Sequence, residues 1–244
     1  MTHPTGPDGA ADDPWARASG AMPRRRALAE HTYEAIRSLL MDQVLPPGGR
    51  VNIDEVARRL DVSPTPVREA LSRLESEGLV TKRALAGFTA TPLLDARGLA
   101  ELFDLRRYLE EPAASAAARH RDDADLAALR ELWQGAREPF DGGRYAHYRD
   151  FALCDAGFHD RVAVAGGNVM LRETLARLQP HTHVYRLQLR VGGQEQTYAE
   201  HRDVLDAIAA GDGRAAARAM RVHLDEAEKR LMAVLRREGG GASS

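Results

Sequence analysis

Apolar positions recur at three- and four-residue steps along most of the chain, and the places where that repeat breaks divide it into two parts. Between residues 53 and 80 two short amphipathic stretches follow one another. In the first, Val56, Ala57 and Leu60 share a face; in the second, Val67, Ala70, Leu71 and Leu74 form one apolar stripe. The tight Asp61-Val62 link between them predicts a helix-turn-helix over about 53–72. Ser63 stands where an N-cap belongs, its oxygen placed to accept an orphan backbone N–H. Pro64 and Pro66 fall at the first and third helical positions, where a missing N–H costs little, and Gly78 stops the helix. Thr65 sits in the first turn, and Arg68 lies off the stripe near the helix start. Beyond Gly78 the pattern changes, and 79–82 and 88–91 predict two strands joined by a turn over 83–87. That is the layout of a winged helix-turn-helix.

From Asp95 onward no strand pattern returns. Helical segments are predicted at about 95–120, 123–139, 144–164, 168–190, 195–210 and 213–237, with joints at Gly142-Gly143, Gly166-Gly167, Gly192-Gly193 and Gly211-Asp212-Gly213. An Ala/Leu/Arg-rich composition with few aromatics suits a helical bundle. No repeat of roughly 33 to 47 residues recurs, which argues against a solenoid. The predicted fold is therefore mainly α, with a winged helix-turn-helix domain over 26–93 and an all-helical bundle over 95–237. Residues 1–25, rich in Gly, Pro and Asp, read as a disordered arm, and 238–244 as a disordered tail.

Composition changes this picture little. The chain is 43% hydrophobic and 29% charged. It holds no apolar run near the ~18 residues of a membrane span and no secretory core, so a cytoplasmic protein without a membrane partner is expected. The lone Cys154 excludes an intramolecular disulfide and reads as a small buried side chain. A net charge of −2 neither favours nor opposes nucleic-acid binding. Residues 24–91 carry 11 Arg/Lys against 9 Asp/Glu, so any DNA affinity depends on local placement and dimerisation, and falls with salt. Arg24-Arg25-Arg26 could touch phosphate but reads more simply as solvated.

The candidate chemistry lies in the second part. Asp155 and His159 are four residues apart and share one helical face. His201 and His223 each lie eleven residues from Asp212, the centre of the turn between the last two helices. In an antiparallel hairpin, equal distances bring two side chains to the same height, roughly 16 Å from the turn. Leu205 and Ile208 share a stripe with His201, and Met220 and Ala219 with His223. One carboxylate and three imidazoles suit a divalent ion, zinc first, with nickel or manganese as alternatives. The same four residues also fit satisfied core groups in a bundle that only dimerises. A metal-dependent hydrolytic enzyme is a further alternative, opposed by the lack of a carboxylate placed as general base: Asp203 and Asp206 fall off the inferred face. His181 and His183, two apart, point to different sides of a helix. Asn168 reads as a helix N-cap.

Two resemblances sharpen these expectations. Leu45-Pro46-Pro47-Gly48-Gly49-Arg50, then VSPTPVREALSRLESEGLV at 62–80 and Gly87-Phe88, closely resemble the DNA-binding domain of GntR-type bacterial regulators over roughly residues 27–92. The resemblance implies DNA contacts from Ser63, Thr65, Arg68 and the wing at Gly87. One departure matters: the family often has arginine after the Val-Ser pair, and here Pro64 cannot make a bidentate contact to guanine.

DAGFH at 155–159 and EHRDVLDAIAAGDGRAAARAMRVHL at 200–224 resemble the FCD effector domain of the FadR subfamily over about 140 residues. Metal-binding members of that domain use an Asp, the His four residues later and two later histidines, which assigns Asp155, His159, His201 and His223. LRRYLE at 105–110 resembles the first effector-domain helix, whose arginine often faces the ligand cavity. Arg106 is thus the candidate to clamp a carboxylate; an ion pair with Glu110 one turn on is the alternative. Together the resemblances imply a DNA-binding transcriptional regulator, not an enzyme. They imply a repressor acting as a homodimer on a palindromic double-stranded operator, controlled by a small organic acid bound at the metal.

Overall fold

Residues 14–83, 87–136, 145–178, 180–188 and 193–241 are described by the computed structural model. The N-terminal domain is built around the stripe read from the sequence. Helix α1 (Pro14–Met41) packs along α3 (Pro64–Ser76), with α2 (Ile53–Leu60) beside it. Val67, Ala70, Leu71 and Leu74 are all buried, together with Ile36 and Leu40 of α1 and Val56 and Ala57 of α2. Asn52 caps α2, its Oδ1 accepting the N–H groups of Asp54 and Glu55.

The wing strands are β2 (Val80–Arg83) and β3 (Gly87–Ala90), paired antiparallel with Val80 opposite Ala90 and Arg83 opposite Gly87. A third strand, β1 (Arg50–Val51), adds to the free edge of β3 in the order β1-β3-β2. Two residues are too short for a periodicity to reveal, so this strand was not expected. Residues 84–86 of the wing turn lie outside the described residues.

Three further details depart from expectation. The stretch expected to be a disordered arm is helical from Pro14 onward, because Pro14 is well suited to a first helical position and the Ala, Arg and Met residues after it are good helix formers; residues 1–13 lie outside the described residues. Helix α10 (Gly213–Gly241) likewise takes in 238–241 of the expected tail. Ser63 has the extended backbone of an N-cap, but its side chain caps nothing. A capping oxygen bonds the N–H of the second or third helical residue; the third here is Pro66, which has none, so only the Thr65 N–H remains as a target. Of the helix expected over 168–190, α7 (Val169–Leu178) and α8 (Pro180–Gln188) are described, and residue 179 between them lies outside the described residues.

The second domain is the expected bundle: α4 (Ala96–His120), α5 (Asp123–Gly135), α6 (Tyr145–Ala165), α7, α8, α9 (Gln194–Ala209) and α10. The end expected for α5 near 139 and the Gly142-Gly143 joint lie outside the described residues. Asn168 does cap α7, accepting the Leu171 N–H at 3.0 Å. Helix α4 is the spine, packed against α10, α6 and α9, while α10 also lies along α9. Gly213 permits the α4–α10 approach, since a Cβ there would sit 2.8 Å from the Ser115 carbonyl. The α9–α10 turn passes through Gly211 at φ +75°, and Asp212 then caps α10 through the N–H groups of Arg214 and Ala215.

Leu71 is fully buried where α1 and α3 meet. Leu71→Ala should therefore lower unfolding stability by about 2–5 kcal/mol. Urea unfolding checks this, with the midpoint shifting and the slope unchanged.

Candidate metal centre and DNA-facing surface

The α9–α10 hairpin does what the sequence arithmetic predicts. His201 of α9 and His223 of α10 meet with ring centroids 4.6 Å apart. Helix α6 brings His159 to the same point, 5.1 Å from each of the other rings. One nitrogen from each histidine lies within 4.8 Å of the others, and all three side chains are buried. Asp155 flanks this trio on α6, with Oδ1 3.5 Å from His201 Nε2. Its other oxygen accepts a 2.6 Å hydrogen bond from Tyr185 of α8. Burial, and then the neighbouring Asp155 carboxylate, push the Tyr185 phenol well above its usual range, so it remains a donor.

Each of two histidines is turned by a carboxylate behind it. His223 Nδ1 lies 2.9 Å from Glu200 Oε2, and Arg230 grips Glu200 with contacts of 2.6 and 2.9 Å. His159 Nδ1 makes an ion-pair contact with Glu110, which Arg106 Nε also contacts at 2.6 Å. Burial would raise Glu110, but the Arg106 guanidinium and His159 outweigh it and hold the carboxyl well below its usual range. A carboxylate acceptor at each Nδ1 selects the tautomer with hydrogen there. The two Nε2 lone pairs then face each other at 3.2 Å. The third, buried His201 Nε2, has no hydrogen-bond partner among the described residues.

Two facing Nε2 lone pairs, with a nitrogen of His201 within 4.8 Å, repel in a buried site and would be relieved by a cation between them. The donor set therefore fits a divalent metal, held by His159, His201 and His223 with Asp155 beside them. Burial itself pushes His201 well below its usual pKa, and His223 adds to the effect. Burial lowers His223 as well, against the opposing pull of Glu200. Both favour the neutral form that a metal requires.

The structure brings together all four expected ligand residues and Arg106, and for Arg106 it shows the ion pair with Glu110 that was the alternative to a carboxylate clamp. Its Nε is committed to Glu110, while Nη2 reaches to 3.5 Å from His159 Nε2, at the edge of the centre. Glu200, Arg230 and Tyr185 were missed. The signal available for Glu200 was its place directly before His201 on α9. His183 is half-buried and outside the trio; the side chain of His181 lies outside the described residues. Cys154 is half-buried rather than buried, and burial raises its thiol.

On the other domain, Ser63, Thr65 and Arg68 are all exposed along one end of α3. Gly87 opens β3 at φ +79°, a conformation that suits glycine at the wing. Thr81, Lys82 and Arg83 of β2 are exposed as well, so the wing presents two cations that the sequence reading did not single out.

Residues 28–89 match the bacterial regulatory proteins of the gntR family, and residues 101–226 match the FCD domain. The Nta operon transcriptional regulator of Aminobacter aminovorans is 44% identical over 86 residues, which is 35% of this chain and 40% of that protein. The Uxu operon transcriptional regulator of Escherichia coli K12 is 28% identical over 233 residues, covering 84% of this chain and 88% of that one. A solved GntR-type regulator from Rhodococcus sp. RHA1 shares the fold with a TM-score of 0.61 at 23% identity, over 84% of this chain and 97% of the other.

Glu200→Gln leaves His223 without its anionic partner and should weaken metal affinity about 10- to 100-fold, as read by competition with a chelating dye. The metal-free chain should also lose stability as pH is lowered from 7. His201 and His223 resist protonation when folded but accept it when unfolded, so the unfolded state gains protons once pH falls through about 6.5. Urea midpoints at pH 7.5, 6.5 and 5.5 in the presence of chelator check the direction.

Proposed function

The chain belongs to the FCD-domain branch of the gntR family of bacterial regulatory proteins, and from that premise we propose a repressor whose operator affinity is set by an organic acid bound at a metal. It is a transcriptional regulator and not an enzyme, so the hydrolytic alternative falls away. The observation that carries the finer reading is the convergence of three imidazole nitrogens in one buried site, two of them facing each other at 3.2 Å.

The metal would be zinc, with nickel or manganese as alternatives, held by Asp155, His159, His201 and His223. When bound, it supplies a Lewis-acid position open to a carboxylate oxygen. Charge supports an anionic ligand. Arg106 against Glu110 and Asp155 leaves the buried centre with one negative charge, and a divalent ion turns that into one positive charge. A carboxylate neutralises it, and the edge of Arg106 nearest His159 is the group placed to receive its second oxygen.

A homodimer would present two α3 helices and two wings to a palindromic double-stranded operator in the cytoplasm. Ser63, Thr65 and Arg68 are the proposed contacts of the recognition helix, and Gly87 lets the wing approach the backbone. With Pro64 unable to read guanine, Arg68 carries more of the base contact.

Selection of binding sites from a random duplex pool, followed by gel-shift titration, tests the DNA reading. A palindromic consensus should emerge, and Arg68→Ala should cost about 1–3 kcal/mol of affinity on it. Absence of any sequence preference, with or without zinc, would sink the proposal. For the metal reading, His201→Ala and His223→Ala should each abolish metal retention by elemental analysis. Effector-free DNA binding should survive both changes.

A further inference from the structure

Two consecutive residues at the end of α1 reach the two helices that serve the metal centre. Asp42 Oδ1 accepts the N–H of Tyr145, the first residue of α6, at 2.6 Å. A carboxylate of the DNA-binding domain thus caps the helix that carries Asp155 and His159 roughly 15 and 21 Å further along. Next to it, Gln43 Nε2 donates to the backbone carbonyl of Arg186 on α8 at 3.1 Å. Gln43 adopts φ +58°, in the left-handed region where a helix usually ends on glycine. Glycine would finish α1 at lower conformational cost, but it could not reach across to α8.

Arg186 continues the connection in the other direction. Its wholly buried guanidinium donates from Nη1 to the Thr91 carbonyl at 2.6 Å, in the segment joining β3 to α4. The Thr91 hydroxyl in turn donates to the Gly78 carbonyl, directly after the recognition helix, at 2.6 Å. The residue before Arg186 is Tyr185, whose hydroxyl holds Asp155. A continuous path of short contacts therefore runs from Asp155 through Tyr185, the α8 backbone, Arg186 and Thr91 to the end of α3. The Nε and Nη2 of Arg186 have no hydrogen-bond partner among the described residues, and burial lowers its pKa to about 10. A buried cation with two idle donors is the least satisfied member of the path, and so the one with most to gain from a second arrangement.

We propose that the Asp42-Gln43 turn and Arg186 form the joint through which occupancy of the metal centre sets the position of the recognition helix. This rests on the metal reading above, and it assigns to Gln43 and Arg186 a positioning role rather than a ligand role. Metal that draws on Asp155 changes what Tyr185 holds, α8 shifts with Tyr185, and the head follows through Gln43 and Thr91.

The test uses the full chain, stripped of metal and then loaded with zinc alone, with hydrogen exchange followed by mass spectrometry. Zinc should slow exchange in α6 and α8, and also in residues 43–51 and 88–92, by about ten-fold. Gln43→Gly, and independently Arg186→Met, should keep the zinc content and the slowing in α6 and α8. In both, the zinc-dependent slowing at 43–51 and 88–92 should fall to about two-fold or less. If Arg186→Met does not fold, Gln43→Gly alone decides. Three outcomes overturn the joint: equal slowing at these segments in wild type and Gln43→Gly, none in zinc-loaded wild type, or faster exchange in the variant by the same factor with and without zinc. A wild-type chain that retains no zinc, nickel or manganese overturns the metal reading and the joint with it.

Discussion

The second domain is organised around imidazole lone pairs that are forced to face one another. Glu200 and Glu110 claim the Nδ1 positions of His223 and His159, and so leave both Nε2 atoms pointing into one buried space. Neither carboxylate acts alone: Arg230 and Arg106 hold them, which keeps the two charges from lying unpaired in the interior. The bundle is thus built from the outside of the centre inward, guanidinium to carboxylate to imidazole. Helices α4, α6, α9 and α10 each contribute to that sequence of contacts, and their packing around α4 is what keeps the imidazoles in register.

Much of this was legible because helices convert sequence spacing into position. The four-residue step from Asp155 to His159 and the equal distances of His201 and His223 from Asp212 are statements about helical rise and antiparallel pairing, and both hold. The apolar stripe of Val67, Ala70, Leu71 and Leu74 fixed the buried face of α3 in the same way. The change of pattern after Gly78 located β2 and β3 to within a residue.

What escaped notice depends on residues far apart in the chain, or on two local rules acting at once. Glu200 and Arg230 are thirty residues apart, and their shared work on His223 has no sequence periodicity. Strand β1 exists only because β3 offers it an edge. Ser63 shows the second kind of miss. A serine before the helix invited a cap and the prolines after it suited the first turn, yet Pro66 removes one of the two hydrogens that a cap could receive. Asp42 and Gln43, at the end of an ordinary helix, gave no sign that they would meet α6 and α8.

The same two prolines have an effect at the other surface of the molecule. The first turn of a helix ordinarily offers a fan of free amides to an anion, and many proteins seat a phosphate there. In α3 the fan has lost alternate blades: Pro64 and Pro66 contribute no hydrogen, which leaves Thr65 and Val67 to represent that turn. An anion approaching this helix end meets two prolines on either side of Thr65 in place of a full cradle of amides. Under the proposed DNA-binding role, orientation on a duplex would then fall to exposed side chains beyond that turn, Arg68 on the helix and Lys82 and Arg83 on the wing. In that role α3 would be steered by the wing as well as by its own Arg68.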